Sequence, residues 1–205
     1  MFRWGLYSLR NLWARRVTTA LTVVGLGLVV FVLLAVLMLA HGLEQTLGKT
    51  GDPENVILLR KGALSEIGSS LSREEIRAVA AQPDVRLTAD GRPLAVAEVG
   101  LQLTLRKGQG GSLTSVTLRG TAPEALAVRP AIRLIQGRLW KPGTTEIVVG
   151  ASIARQFPDA RVDRVLHFGN WAWTVVGVFE AGGSGFDSEV WGDAEQFLAT
   201  FHRAT

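Results

Sequence analysis

Cysteine is absent from the sequence, which rules out a disulfide framework but leaves the compartment open, because a domain of this size can stabilise itself without one. Histidine is scarce. The three present, His41, His167 and His202, form no i, i+4 metal pair and no local triad. No serine stands in a G-x-S-x-G elbow. Gly42 to Thr50 (GLEQTLGKT) is close to a phosphate-binding loop but puts five residues where that motif has four. An enzyme is therefore not expected, and neither is a cofactor, a resident metal or a nucleotide. A basic surface for nucleic acid is missing too. Of 22 basic and 18 acidic residues, five basic and one acidic lie in residues 1–51, so the remainder is formally neutral.

The first half supplies a long run without charge. Val17 to Ala40 is apolar throughout, and its 24 residues rise about 36 Å as a helix. It is too long for the core of a cleaved signal and has no polar face for a soluble helix, so it reads as a membrane span. Arg3, Arg10, Arg15 and Arg16 precede it, whereas Glu44, Lys49, Asp52 and Glu54 follow. The N-terminus is thus expected in the cytoplasm and the remainder outside. Residues 1–16 read as an amphipathic interfacial helix, with Phe2, Leu6, Leu9 and Trp13 on one side. Thr18, Thr22 and Gly25 share a face of the span and form a candidate packing surface for a neighbouring helix.

After a linker, residues 41–54, the expected domain is α+β and covers residues 55–205. Asn55 to Leu59 (NVILL) reads as a buried strand that joins the sheet. Ser72 and Glu75 form a capping box for a helix from about Arg73 to Ala81, stopped by Pro83. Pro93 to Leu105 and Leu113 to Arg119 read as a long hairpin, and Thr121 and Glu124 as the caps of a helical turn. Glu146 to Val149 is a strand, and the short helix after Gly150 turns Ile153, Ala154 and Phe157 inward. Arg164 to Phe168 and Trp171 to Phe179 are separated by Gly169 and Asn170 alone, which specifies a tight hairpin. Alternation puts Trp171, Trp173, Val175, Gly177 and Phe179 on one face and Ala172, Thr174, Val176 and Val178 on the other. Both faces are apolar, so covers are expected on both: the helix after Gly150 on one, α-helical residues from Arg73 or from the C-terminal end on the other.

AGGSG (181–185) reads as a flexible linker and Phe186 to Trp191 as extended. Asp187, Glu189 and Asp193 could hold a cation around Trp191. The structural alternative is simpler, with Asp193 capping a helix that carries Phe197, Leu198 and Phe201, and DSEVW as an edge strand with its charges outward. Asp187, Glu189 and Trp191 are kept as a candidate contact for a partner or substrate.

NLWARRVTTALTVVGLGL, followed in order by VTLRGTAPEAL, IRLIQGRLW, TEIVVGASIARQF and WTVVGVFEAGGSGFDSEVWGD, resembles the MacB-like and FtsX-like permeases of ABC transporters, from their first span into their periplasmic core domain. The resemblance implies a mixed-sheet periplasmic domain anchored in the bacterial inner membrane, with no catalytic residues in this region. It implies as partners a separate cytoplasmic ABC ATPase subunit, a second permease copy or paralogue, a periplasmic adaptor protein, and the lipid bilayer. The three later membrane helices of such permeases have no counterpart in these 205 residues, so the chain reads as an N-terminal portion or a truncated frame. The rival reading is a stand-alone anchored binding or scaffold domain without transport.

Overall fold

The computed structural model describes residues 16–48, 54–108 and 111–201. The chain divides into two compact units, Met1–Gly48 and Lys49–Thr205. Helix α1 (Arg16–Gly48) makes up the described part of the first. Within it Arg16–Glu44 is long and apolar enough to cross a membrane. Its large side chains, among them Leu21, Phe31 and Met38, are all exposed, as suits a helix whose solvent is lipid. The helix runs past Ala40 over most of the expected linker, because a single interior glycine, Gly42, costs only about 1 kcal/mol relative to alanine. The expected interfacial segment before Arg16 lies outside the described residues.

The second unit holds α2 (Arg73–Ala80), β1 (Val99–Arg106), β2 (Leu113–Thr121), α3 (Ala125–Val128), β3 (Arg133–Gly137), β4 (Glu146–Gly150), α4 (Ala151–Gln156), β5 (Val165–Phe168), β6 (Trp171–Glu180), a 3-10 turn (Gly185–Ser188), β7 (Glu189–Asp193) and α5 (Ala194–Thr200). The strands form one mixed sheet in the order β1-β2-β7-β4-β6-β3, with β5 also pairing with β6. Its parallel seams are β2 with β7 and β4 with β6. The class is α+β, as the sequence predicts.

Local signals hold where both partners are close in sequence. Ser72 Oγ accepts from Glu75 N at 3.2 Å, and Glu75 Oε2 accepts from Ser72 N at 2.7 Å, closing the capping box. At the β5–β6 turn Gly169 and Asn170 both have positive φ, 57° and 61°, the pairing that matches the twist of a two-residue hairpin. Across it Phe168 and Trp173 stack 5.1 Å apart, and Trp173 Nε1 donates to the Phe168 carbonyl. The long hairpin also forms, from Val99 paired with Gly120 to Arg106 paired with Leu113.

Other expectations fail. Asn55 to Leu59 is no strand and is exposed, Val56 at 80%. β-formers need an edge to pair with, and the hydrogen bonds there run instead from Asn55 Nδ2 to the Val128 carbonyl and from Arg60 N to Ser69 Oγ. Alternation along β6 breaks in its middle. Ile147 lies opposite Val175 but Val148 opposite Gly177, so Val176 is an extra residue, a bulge that exchanges the faces beyond it. Trp173 and Val175 therefore share a cluster with Val178, while Val176 joins Phe179 on the other side. Finally, α4 and α5 cover the same face. Ile153, Phe157 and Phe197 pack with Trp173, Val149 and Val190, each buried side chain of this size contributing about 1.5–3 kcal/mol. The opposite face is covered by Ala125, Ile132 and Trp140 over Val148, Phe179 and Trp191, whereas α2 buries nothing.

Candidate functional site

Alternation on β2 sends Val116 and Leu118 into the larger cluster and Arg119 to the other face, where it is 6% exposed. A guanidinium is rarely buried unless its donors are used. Here each of its three nitrogens donates. Arg119 Nε and Nη2 donate to Glu189 Oε2 and Oε1 at 2.8 and 2.9 Å. Its Nη1 donates to Glu66 Oε2 and Glu98 Oε2, both at 2.9 Å.

Glu98, just before β1, is the second hub. It takes two bonds of 2.7 Å from Arg129 and one of 3.0 Å from the Thr121 hydroxyl. The Phe186 ring lies near both cations, 5.2 Å from Arg119 Cζ and 5.1 Å from Arg129 Cζ. Trp191 Nε1 donates to Glu189 Oε2 at 2.7 Å. Burial opposes the charge on Glu98, yet the bonds and charge of Arg129, the charge of Arg119 and the Thr121 hydroxyl together hold its carboxyl below the usual range. Burial likewise works against Arg119, and Glu189, Glu98 and Glu66 outweigh it, holding the guanidinium protonated. Neither Glu98 nor Arg119 stores or delivers a proton near neutral pH. The cluster joins chain segments, namely the stretch before β1, the strands β2 and β7, and the residues after α3.

The model of the MacB-like periplasmic core domain family matches residues 19–205. The chain belongs to this family. No curated protein sequence matches it. Among solved structures, the extracellular domain of the noncanonic ABC-type transporter YknZ from Gram-positive bacteria is similar at 17% identity, over 64% of this chain and 67% of that one, with a TM-score of 0.50. The periplasmic region of MacB from Actinobacillus actinomycetemcomitans matches at 16% identity, over 66% of this chain and 61% of that one, with a TM-score of 0.47. The YknZ likeness shows a shared fold. With α1, the MacB-like domain makes this a membrane-anchored protein with an extracytoplasmic domain.

Within this MacB-like domain the residues singled out by sequence are not at the surface. Asp187, Glu189 and Trp191 are buried at 5%, 8% and 1%, and β7 is a central strand rather than an edge, its acidic side chain compensated by Arg119. Asp187 holds the preceding loop, accepting from Ala181 N at 2.7 Å and Gly183 N at 2.8 Å. AGGSG is thus a closed turn with Gly182 and Gly183 at positive φ, not a slack linker. The 3-10 turn packs so closely on Gly150 that a Cβ there would run into the Asp187 backbone. Phe186 to Ser188 lie in the 3-10 turn, and the extended stretch starts at Glu189. Asp193 does cap α5, accepting from Gln196 N at 3.0 Å. Thr121 is no cap, since its hydroxyl is spent on Glu98. On α1, Thr22 Oγ1 donates to the Thr18 carbonyl at 2.9 Å, and a Cβ on Gly25 would meet nothing within 4 Å. Among the described residues no group of His, Asp and Glu could hold a metal.

Sequence reading missed Arg119, Glu98, Glu66 and Arg129. The available signal was an arginine in the otherwise apolar and small strand VTLRGT, a residue type that needs carboxylates wherever such a strand is central.

Proposed function

We propose that the chain is the N-terminal part of an ABC transporter permease and works mechanically, not as an enzyme. ATP hydrolysis by a separate cytoplasmic ATPase subunit is coupled through the membrane helices to motion of the periplasmic domain. The observation that supports this most is the reach of the family match, which begins at residue 19 inside α1 and continues through the whole domain, so that span and domain belong to one design. A second permease copy or paralogue and a periplasmic adaptor are the further partners this reading implies. The four arginines before the span favour a cytoplasmic N-terminus in the bacterial inner membrane.

The test is in two parts. Single cysteines at Ser8 and Ser112 should differ toward an impermeant thiol reagent in intact cells, with Ser112→Cys labelled and Ser8→Cys protected. Affinity purification of the chain from its native membrane should bring down an ABC ATPase. Reversed labelling would overturn the topology, and recovery of the chain without an ATPase under conditions that keep other transporters whole would overturn the coupling.

A further inference from the structure

Residues 54–97 stand apart from the rest of the second unit in how they are held. None of them is buried, although they include Val56, Ile57, Leu58, Leu64 and Leu87. Their attachments to the sheet and its helices include three polar ones. Glu66 bonds Arg119, Arg73 pairs with Glu195 at the surface, and Asn55 bonds the Val128 carbonyl. Val96 alone among them packs on a core cluster, near the end that leads into β1.

The two carboxylates that share Arg119 Nη1 are unequal. Glu98 is 15% exposed and takes four hydrogen bonds, from Arg119, Thr121 and, twice, Arg129. Glu66 is 41% exposed and takes one. Were Glu66 to leave, Arg119 would keep three bonds, two to Glu189 and one to Glu98. No buried charge would be stranded, the condition under which breaking such a pair becomes severe. Glu66 itself would pass into water. The neighbouring contact is equally shallow: Ile67 rests over Gly100 of β1, where an added Cβ would come within 3.3 Å of Ile67 Cγ1.

We propose that residues 54–97 form a releasable arm, hinged at Glu98 and clasped by Glu66 on Arg119. Five residues after Gly48 join α1 to its start, so tension along the chain from the helix reaches the clasp before it reaches the sheet. A closed clasp passes displacement to β2 and β7 directly; an open one leaves slack. This goes beyond the transport reading, and its test involves no transport.

The chain has no cysteine of its own, so the full protein in lipid nanodiscs can carry paired nitroxides at Glu74→Cys on α2 and Ser115→Cys on β2, with Ser115→Cys and Asp159→Cys as a reference pair within the core. Loss of one hydrogen bond between charged groups in E66A should raise a longer Glu74–Ser115 distance population on the order of tenfold, with the reference distance unchanged. G100V, which pushes on Ile67 and leaves both charges in place, should act in the same direction, as should about 1 M salt. An arm distance unaltered in both variants would overturn the proposal. So would a reference distance that changes together with the arm, since Glu66 would then be part of the core and no clasp.

Discussion

Arg119 and Glu189 meet diagonally across two parallel strands. Glu189 lies opposite Thr117 and Arg119 opposite Trp191, so the guanidinium reaches back one pleat to take both carboxylate oxygens at 2.8 and 2.9 Å. The pair spans the seam between β2 and β7.

Removing one member leaves the other charged in a dry place, which costs about 3–5 kcal/mol. Arg119→Met should therefore lower the melting temperature of the detergent-solubilised chain clearly, followed by tryptophan fluorescence. Adding Glu189→Leu should recover part of the loss. A double variant that melts below the single one would show that the pair is not the unit it looks to be.

The β5–β6 hairpin is expected to be the energetic centre of the larger cluster. Trp173→Ala removes a fully buried ring and should cost about 3–5 kcal/mol, and Val176→Ala, at the bulge on the other face, somewhat less. Ser112→Ala, on an exposed residue, should stay within about 0.5 kcal/mol. Denaturant midpoints rank the three, and equal small effects would remove the hairpin from the core.

Acid should loosen the loop before β4. Glu146 accepts two bonds of 2.6 Å from Arg138 and one from Lys141 N; Arg138 above all, against desolvation and with help from Lys141, brings its carboxyl from 4.5 to about 2. A carboxyl depressed in the folded state stabilises above its unfolded value and loses that contribution as pH falls through the folded one. The melting difference between wild type and Glu146→Gln should thus be present at pH 7 and close between about pH 4.5 and 2. Because Arg138 is half exposed, it should be under about 1 kcal/mol. A difference that persists unchanged at pH 2 would refute this origin.

Asp193 serves two segments, capping α5 through Oδ1 and accepting from Gly143 N through Oδ2 at 3.0 Å. A lost cap alone costs about 0.5–2 kcal/mol. Asp193→Ala should sit at or above the upper end, and Asp193→Ser, which keeps one oxygen, between it and wild type. Identical midpoints for alanine and serine would mean that neither bond matters.

What the sequence disclosed was what lies close along it. The Ser72–Glu75 box, the Gly169–Asn170 turn and the Asp193 cap each span four residues or fewer, and all three formed. Glu189 was read as facing water because a carboxylate inside a sheet is costly, and the group that removes the cost, Arg119, lies 70 residues away. Val176 could not be recognised as a bulge either, since an inserted residue shows only against its partner strand. Asn55 to Leu59 failed in the opposite sense, having every local property of a strand and pairing with no strand among the described residues.

The position of β7 has a consequence for how the domain is made. It is the last strand in sequence order among the described residues yet lies between β2 and β4. Until residues 189–193 have left the ribosome, the hairpin of β1 and β2 and the group of β4, β5, β6 and β3 are separate half-sheets with open edges. Each then waits for a non-local partner, a topology that slows folding and exposes edges to wrong pairing. The closing strand also carries Glu189, so the sheet is zipped and the Arg119 charge neutralised in one event, after both half-sheets have been synthesised.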